Sequence, residues 1–147
     1  DKAEQTLARI TPTADYGALR GAQLVVEAVF EDRTAKARVI ESLDAVLGAD
    51  AVLATNTSTL PITGLAEYAK RAKNFIGLHF FSPVDRMPLV EVIRGKRTAD
   101  ATLARALDFD RELKEKAINP GTSADLTVSA LFADSATRIL ASAFKNG

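Results

Sequence analysis

The only histidine of the chain, His79, lies inside an apolar run, and a lone carboxylate, Glu91, lies inside the next apolar run. Alternation along the second run places Glu91 on the same face as Leu89 and Ile93. Because an unpaired buried carboxylate is costly or takes up a proton, Glu91 needs a partner, and His79 is the candidate. Such a pair would hold one imidazole tautomer and leave the outer ring nitrogen free to act as a general base. A buried pair with only a structural role fits the same spacing.

Polar side chains also stand where other apolar runs end. Glu31 follows the first run, Asn56 and Ser58 follow the second, and Ser82 closes the run that contains His79. Parallel sheets bind ligands at the carboxyl ends of their strands, so this placement favours a site there. Small polar residues also begin ordinary loops, which is the alternative interpretation of any one of them.

The apolar runs alternate with helical patterns. Strand-like runs lie at 24–30, 51–58, 74–81 and 88–93, and helical patterns lie at 33–47, 60–72 and 100–117. Strand, helix, strand, helix, strand predicts an α/β fold in which crossover helices join parallel strands. We expect the first run, which is almost continuously apolar, to be a strand buried on both faces.

The C-terminal part of the chain carries no further strand pattern. We predict one helix over residues 124–144, capped near Thr122, which has capping-box spacing to Asp125. Its apolar residues should cover the sheet or mediate self-association, and they are Leu131, Phe132, Ile139 and Phe144. We expect no side chain of this helix within hydrogen-bonding reach of His79.

Composition narrows the classes of function. Formal net charge is zero, which gives no basic surface for nucleic acid, and cysteine is absent, which excludes disulfides and thiolate metal sites. A single histidine makes a zinc site improbable, and we expect no metal. No apolar run approaches the roughly 18 residues of a membrane span. These features favour a reducing compartment, the cytoplasm or an organelle matrix, and we expect a cytoplasmic protein. The eight glycines form no G-x-G-x-x-G turn, so the residues alone leave the cofactor undetermined.

Four segments nevertheless carry a specific resemblance. LVVEAVFED, VLATNTSTLPIT, FIGLHFFSPVDRMPLVEVIRG and TLARALDF resemble the 3-hydroxyacyl-CoA dehydrogenase family over residues 1–109, and above all the bacterial multifunctional enzymes of fatty-acid β-oxidation. The resemblance implies a partial Rossmann-like, doubly wound NAD-binding domain that lacks its first βαβ unit and is followed by a helical tail. It also implies NAD-dependent oxidation of an (S)-3-hydroxyacyl-CoA to the 3-ketoacyl-CoA.

The same resemblance implies roles for individual residues. His79 matches the catalytic base, Glu91 its orienting carboxylate, and Ser58 the serine that hydrogen-bonds the substrate oxygen. The positions implied near NAD are Val29, Phe30, Glu31, Lys36, Asn56, Ser58 and Ser82. Many members of the family carry asparagine where this chain has Ser82. The implied partners are an acyl-CoA substrate and, in an oligomer, a second copy of the chain.

The chain departs from the family pattern at both ends. The glycine-rich turn of the family would precede residue 1, and its helical substrate domain should follow residue 109. The pattern breaks near Asp110, which predicts a domain at 1–109 and a helical tail at 110–147. The segment NPGTSADLTVSALF in that tail resembles the C-terminal end of triphosphoribosyl-dephospho-CoA synthase. A noncatalytic α/β module and, less favoured, a transferase acting on dephospho-CoA are the alternative functions.

A first prediction concerns cofactor affinity. A glycine-rich turn at a helix N-terminus normally holds the pyrophosphate of a dinucleotide. Because residues 1–147 contain no such turn, a polypeptide of these residues alone should bind NAD weakly and show no measurable 3-hydroxyacyl-CoA oxidation. Calorimetry measures the affinity, and NADH absorbance with acetoacetyl-CoA measures turnover in reverse. A micromolar dissociation constant would mean that another site replaces the turn.

Overall fold

The computed structural model describes residues 4–5, 8–81 and 89–115. Ser82, the predicted cap at Thr122 and the predicted helix over 124–144 lie outside the described residues, so these predictions stay open.

Four strands form one sheet in the order β1-β2-β3-β4. The first three are parallel, and β4 runs antiparallel to β3. The strands are β1 (Leu24–Glu27), β2 (Val52–Thr55), β3 (Phe75–Phe80) and β4 (Val90–Ile93), and the helices are α1 (Arg33–Val46), α2 (Ile62–Leu65) and α3 (Asp100–Glu115). Short 3-10 helices span Tyr16–Leu19 and Ala72–Asn74. The predicted α/β fold, a partial Rossmann-like domain, is confirmed. The sequence pattern left the direction of β4 unspecified.

Helices pack on both faces of this sheet because successive strand residues point to opposite sides. On one face, Leu53 and Phe75 pack with Ile40 and Leu43 of α1 and Leu65 of α2. On the opposite face, Ala106 of α3 packs with four strand residues, Val52, Ala54, Ile76 and Leu78. The two cores hold the strands in register, and the register in turn positions every residue at the ends of the strands.

β1 differs from its sequence-based prediction in length and in burial. It ends at Glu27 rather than running to residue 30, because the backbone N–H of Val29 turns to donate to Glu27 Oε1 at 2.6 Å. Leu24, Val25 and Val26 are only half-buried, since β1 is an edge strand of the described sheet. The prediction of a strand buried on both faces was therefore wrong for β1, whereas every residue of β2 is buried.

α1 and the described part of α3 agree with their predicted positions. The helix predicted over 60–72 is shorter than expected, because α2 ends at Leu65 and the backbone continues in turns with hydrogen bonds between residues three apart. The side chain of Asp32 caps α1 by accepting from the backbone N–H of Ala35 at 2.8 Å. α3 continues without interruption through Asp110. The predicted domain boundary at 109/110 therefore falls within a helix and stays a prediction. Among the described residues, no helix has the length and apolar character needed to cross a membrane.

Gly77 in β3 lies against Ile62 of α2 and Ile93 of β4. A Cβ atom at this position would lie 2.7 Å from Ile62 Cδ1 and 2.9 Å from Ile93 Cβ. Both distances are shorter than atoms tolerate, so only glycine lets α2 pack this closely on β3. Because His79 is two residues further along β3, the same packing supports the edge of the sheet where the candidate site lies.

We therefore expect Gly77→Ala to lower the free energy of unfolding by about 1–3 kcal/mol through overpacking. Urea denaturation monitored by circular dichroism measures this change. Gly48→Ala is the matched control, since a Cβ at Gly48 meets no atom within 4 Å and its backbone lies outside the left-handed region. Equal stabilities of the two variants would contradict the close packing at Gly77.

Candidate active site

The site lies at one edge of the sheet because β1, β2 and β3 are parallel and end together. Glu31 follows β1, the segment 56–59 follows β2, and His79 is the penultimate residue of β3. β4 runs the opposite way, so its first residues begin at this same edge. Short sequence segments that are far apart along the chain are thereby brought together.

Ser58, His79 and Glu91 form a continuous chain of hydrogen bonds. The register of β3 and β4 sets His79 directly opposite Glu91. His79 Nδ1 lies 2.8 Å from Glu91 Oε2, and His79 Nε2 lies 3.1 Å from Ser58 Oγ. The predicted contact between His79 and Glu91 is confirmed. Because an ionised carboxylate only accepts, Nδ1 carries a proton and donates to Glu91. In the neutral imidazole, Nε2 is then an acceptor that faces the serine hydroxyl.

The two partners differ in their exposure to solvent. The side chain of His79 is 16% exposed and that of Glu91 is 50% exposed. The expectation that Glu91 stands on a buried face was therefore wrong, because β4 is an edge strand of the described sheet and Leu89 beside it is also exposed. The ring of Phe81 packs against the imidazole with its centroid 4.6 Å away. Phe81, Glu91 and Ser58 thus surround the imidazole, and each of its ring nitrogens faces a polar side chain.

Asn56 joins the ends of β1 and β3. Its backbone N–H donates to the carbonyl of Glu27 at 2.7 Å, and its side-chain Oδ1 accepts from the backbone N–H of Phe80 at 2.9 Å. Phe80 follows His79 directly. Asn56 therefore fixes the end of β3 against the strands beside it.

A buried ion pair lies beneath this edge. The side chains of Glu27 and Lys36 are both 0% exposed, and Lys36 Nζ lies 3.0 Å from Glu27 Oε1 and 3.3 Å from Oε2. The ammonium also donates to the carbonyl of Val29 at 3.0 Å. Thr55 Oγ1 donates to Glu27 Oε2 at 2.6 Å. Every charge in the pair is thus matched by hydrogen bonds, as buried charges require.

Glu31 gathers the loop after β2. Its Oε1 accepts from Thr57 Oγ1 at 2.5 Å and from the backbone N–H groups of Ser58 and Thr59 at 3.0 and 2.9 Å. Thr59 Oγ1 donates to the same oxygen at 3.1 Å. Burial acts to raise the pKa of Glu31, but the hydrogen bonds from Thr57 and Thr59 and the charge of Lys36 outweigh it and lower the pKa to about 2. Glu31 is therefore ionised throughout the physiological range.

The residues predicted to lie near a cofactor fall into two groups. Phe30 is 85% exposed at the site edge, and Val29 is half-buried beside it. Lys36 Nζ and Asn56 Oδ1 instead form hydrogen bonds with other groups of the protein. Lys36 lies beneath the edge rather than on it. Direct contact with a cofactor stays a prediction for all of these residues.

Sequence reasoning missed four residues of this network: Glu27, Thr55, Thr57 and Thr59. Glu27 is a lone carboxylate in an apolar run, which is the same signal that singled out Glu91. It could have been found in that way. Nothing in the sequence marks Thr57 and Thr59, because both act through hydrogen bonds to Glu31, which is distant along the chain.

Solved structures with this arrangement of strands and helices come from several bacteria. The (S)-3-hydroxybutyryl-CoA dehydrogenase PaaH1 of Ralstonia eutropha shares 38% identity with a TM-score of 0.72, over 77% of this chain and 41% of that protein. FadB2 of M. tuberculosis shares 42% identity with a TM-score of 0.70, over 73% of this chain and 38% of that one. The 3-hydroxybutyryl-CoA dehydrogenase of Escherichia coli K12 shares 37% identity with a TM-score of 0.69, over 73% of this chain and 23% of that protein. This chain thus spans less than half the length of each.

A match to a protein-family model covers most of the chain. The model describes the NAD-binding domain of 3-hydroxyacyl-CoA dehydrogenase, and it matches residues 1–122. The match extends over the sheet, its helices and all the site residues described above. By this match and the identities to the solved structures, the chain belongs to the 3-hydroxyacyl-CoA dehydrogenase family and to its NAD-binding domain.

Proposed function

We propose that the protein takes part in the NAD-dependent oxidation of (S)-3-hydroxyacyl-CoA to 3-ketoacyl-CoA, as in fatty-acid β-oxidation. The observation that carries this proposal is the hydrogen-bonded chain of Ser58, His79 and Glu91 at the carboxyl edge of the sheet. The names of the Ralstonia and Escherichia relatives, both 3-hydroxybutyryl-CoA dehydrogenases, support an acyl-CoA thioester as substrate.

His79 is the general base in this proposal. Its Nε2 is the unprotonated ring nitrogen, because Nδ1 donates to Glu91 at 2.8 Å. When Nε2 accepts the proton of the substrate hydroxyl, the ring becomes positively charged. Glu91 then faces an imidazolium, and the charged hydrogen bond between them is stronger than the neutral one. Glu91 therefore orients the base before the reaction and stabilises it afterwards.

Ser58 marks the place of the reacting oxygen. Its hydroxyl and His79 Nε2 are 3.1 Å apart, so an oxygen atom that contacts both groups would be held by two hydrogen bonds. The serine hydroxyl can donate to the substrate oxygen in either oxidation state. The histidine accepts the proton only in the oxidation direction and returns it in the reverse reaction.

NAD, when bound, supplies the acceptor for the hydride that leaves carbon 3 of the substrate. The described residues fit part of such a ligand. Exposed Phe30, half-buried Val29 and the partly exposed Glu31 line the edge beside Ser58, and we assign them to the cofactor side of the site. Ser82 keeps the same assignment from the family resemblance. Lys36 and Asn56 are assigned to the support of that surface.

The proposal also includes a cytoplasmic location for the protein and its association with a second copy of the chain.

We expect His79→Gln to lower turnover by about 10²–10⁴-fold, since removal of a general base has effects of this size. NAD affinity should stay nearly unchanged, because His79 acts on the substrate proton. The measurement is the NADH-dependent reduction of acetoacetyl-CoA by the protein at its natural length, together with calorimetric titration of NAD.

Arg111→Gln is the control variant, because Arg111 is exposed on α3 and forms an ion pair with Asp108, which is also exposed. It should keep wild-type turnover. Loss of NAD affinity in His79→Gln would move His79 to the cofactor, and a wild-type protein without turnover would contradict the proposed function.

A further inference from the structure

One carboxylate holds nearly the whole loop that carries Ser58. Four donors of residues 57–59 reach Glu31 Oε1, and all lie within 3.1 Å of it. Two of them are the backbone N–H groups of Ser58 and Thr59, which donate to no other atom of the residues that the structure describes. The position of the loop backbone therefore depends on where the Glu31 carboxylate lies.

The other oxygen of the carboxylate is fixed from below. Lys36 Nζ lies 3.4 Å from Glu31 Oε2, and the same ammonium is bound by Glu27 and by the carbonyl of Val29. Lys36 belongs to α1 and Glu27 to β1, so the ammonium joins Glu31 to two rigid elements. One cation thereby serves two carboxylates. Its charge stabilises the ionised form of Glu31, which is the form that can accept four hydrogen bonds.

We propose that Glu31 is the positioning residue of Ser58, and that Lys36 anchors it. Ser58 carries both the backbone N–H that donates to Glu31 and the hydroxyl that faces His79. A carboxylate that holds the Ser58 amide at 3.0 Å therefore also sets the hydroxyl 3.1 Å from His79 Nε2. This inference rests on the proposed function for its catalytic consequence. Displacements of about 1 Å in a catalytic constellation can cost about 10²-fold in rate, so the support of this loop matters.

The ionised state of Glu31 generates a pH prediction. The pKa of Glu31 falls from 4.5 to about 2 on folding, so between these values the unfolded chain binds more protons than the folded one. The stabilisation is complete above about pH 4.5 and is lost as the pH falls toward 2. The free energy of unfolding of Glu31→Gln should therefore fall less steeply with acid across this window.

Urea denaturation at several pH values in this window compares the variant with the wild type. Glu41→Gln makes the same substitution at an exposed position of α1 and should keep the steep wild-type fall, because Glu31 is intact. Parallel curves for wild type and Glu31→Gln would show that the carboxylate contributes nothing as an anion.

Two measurements on Glu31→Gln test the positioning role. Hydrogen exchange followed by NMR should show the Ser58 and Thr59 amides exchanging at least about tenfold faster than in wild type, as expected when a local hydrogen bond opens. The nuclear Overhauser contact between the Ser58 Hβ protons and His79 Hε1 should weaken. In the protein at its natural length, kcat should fall about 10–100-fold while KM for NADH and acetoacetyl-CoA stays within about twofold.

The outcomes separate this inference from the proposed function. Unchanged amide exchange, or a raised KM for NADH with unchanged kcat, overturns the positioning role, and the raised KM would assign Glu31 to the cofactor itself. If the wild-type protein has no turnover, the proposed function fails, and the amide exchange and the Ser58–His79 contact still decide whether Glu31 positions the serine. Glu41→Gln should match wild type in every measurement.

A second variant covers the case in which Glu31→Gln does not fold. Thr59→Val removes one of the donors to Glu31 and should raise amide exchange at Ser58 and Thr59 by a smaller factor. No rise in exchange would overturn the inference.

Discussion

The side chain of Lys36 is fully buried, and the edge of the sheet that carries the site depends on the oxygen atoms that bind its ammonium group. A buried charge without partners costs several kcal/mol, so the ammonium needs oxygen atoms that accept its hydrogen bonds. Glu27 supplies two of them, Val29 a third and Glu31 a fourth. The end of β1 and the turn after it are thereby fixed around one cation. Removing one partner of such a buried pair costs about 3–5 kcal/mol, whereas the exposed pair of Arg111 and Asp108 contributes little.

Strand register places the other half of the site. The antiparallel pairing of β3 with β4 sets His79 opposite Glu91, and the parallel pairing of β1, β2 and β3 brings Glu31 and Ser58 to the same edge. A shift of one residue would turn His79 to the opposite face. The two cores on either face of the sheet prevent that shift, because Phe75 and Ile76 are both fully buried on opposite sides. The position of His79 thus depends on packing at the other end of the same strand.

The cost of burying a charge and the register of the strands explain which features could be predicted from the sequence. Lone ionisable groups in apolar runs stand out, and their pairing follows from the cost of burial, so His79 and Glu91 were found together. The alternation of strands and helices was equally visible. The length of β1 could not be predicted. The sequence stays apolar to Phe30, but the strand ends earlier because the backbone N–H of Val29 turns to donate to the side chain of Glu27. The half-exposure of Glu91 was also hidden, since it depends on which strand forms the edge of the sheet. The grouping of Thr57 and Thr59 around Glu31 involves backbone amides, which every residue has and no sequence pattern marks.

The carboxylate of Glu31 has a structural reason to stand where it does. Two backbone N–H groups near the strand ends find acceptors in neighbouring segments: that of Asn56 donates to the carbonyl of Glu27, and that of Phe80 donates to the side chain of Asn56. Ser58 and Thr59 lie beyond the last rung of the ladder, where the next strand offers no carbonyl. An acceptor must then come from a side chain, and one carboxylate oxygen can accept from several donors that converge on it. A neutral acceptor would serve fewer donors and more weakly. The hydrogen bonds from Thr57 and Thr59, together with the charge of Lys36, keep this carboxylate ionised, and the ionised carboxylate holds the backbone that carries the Ser58 hydroxyl.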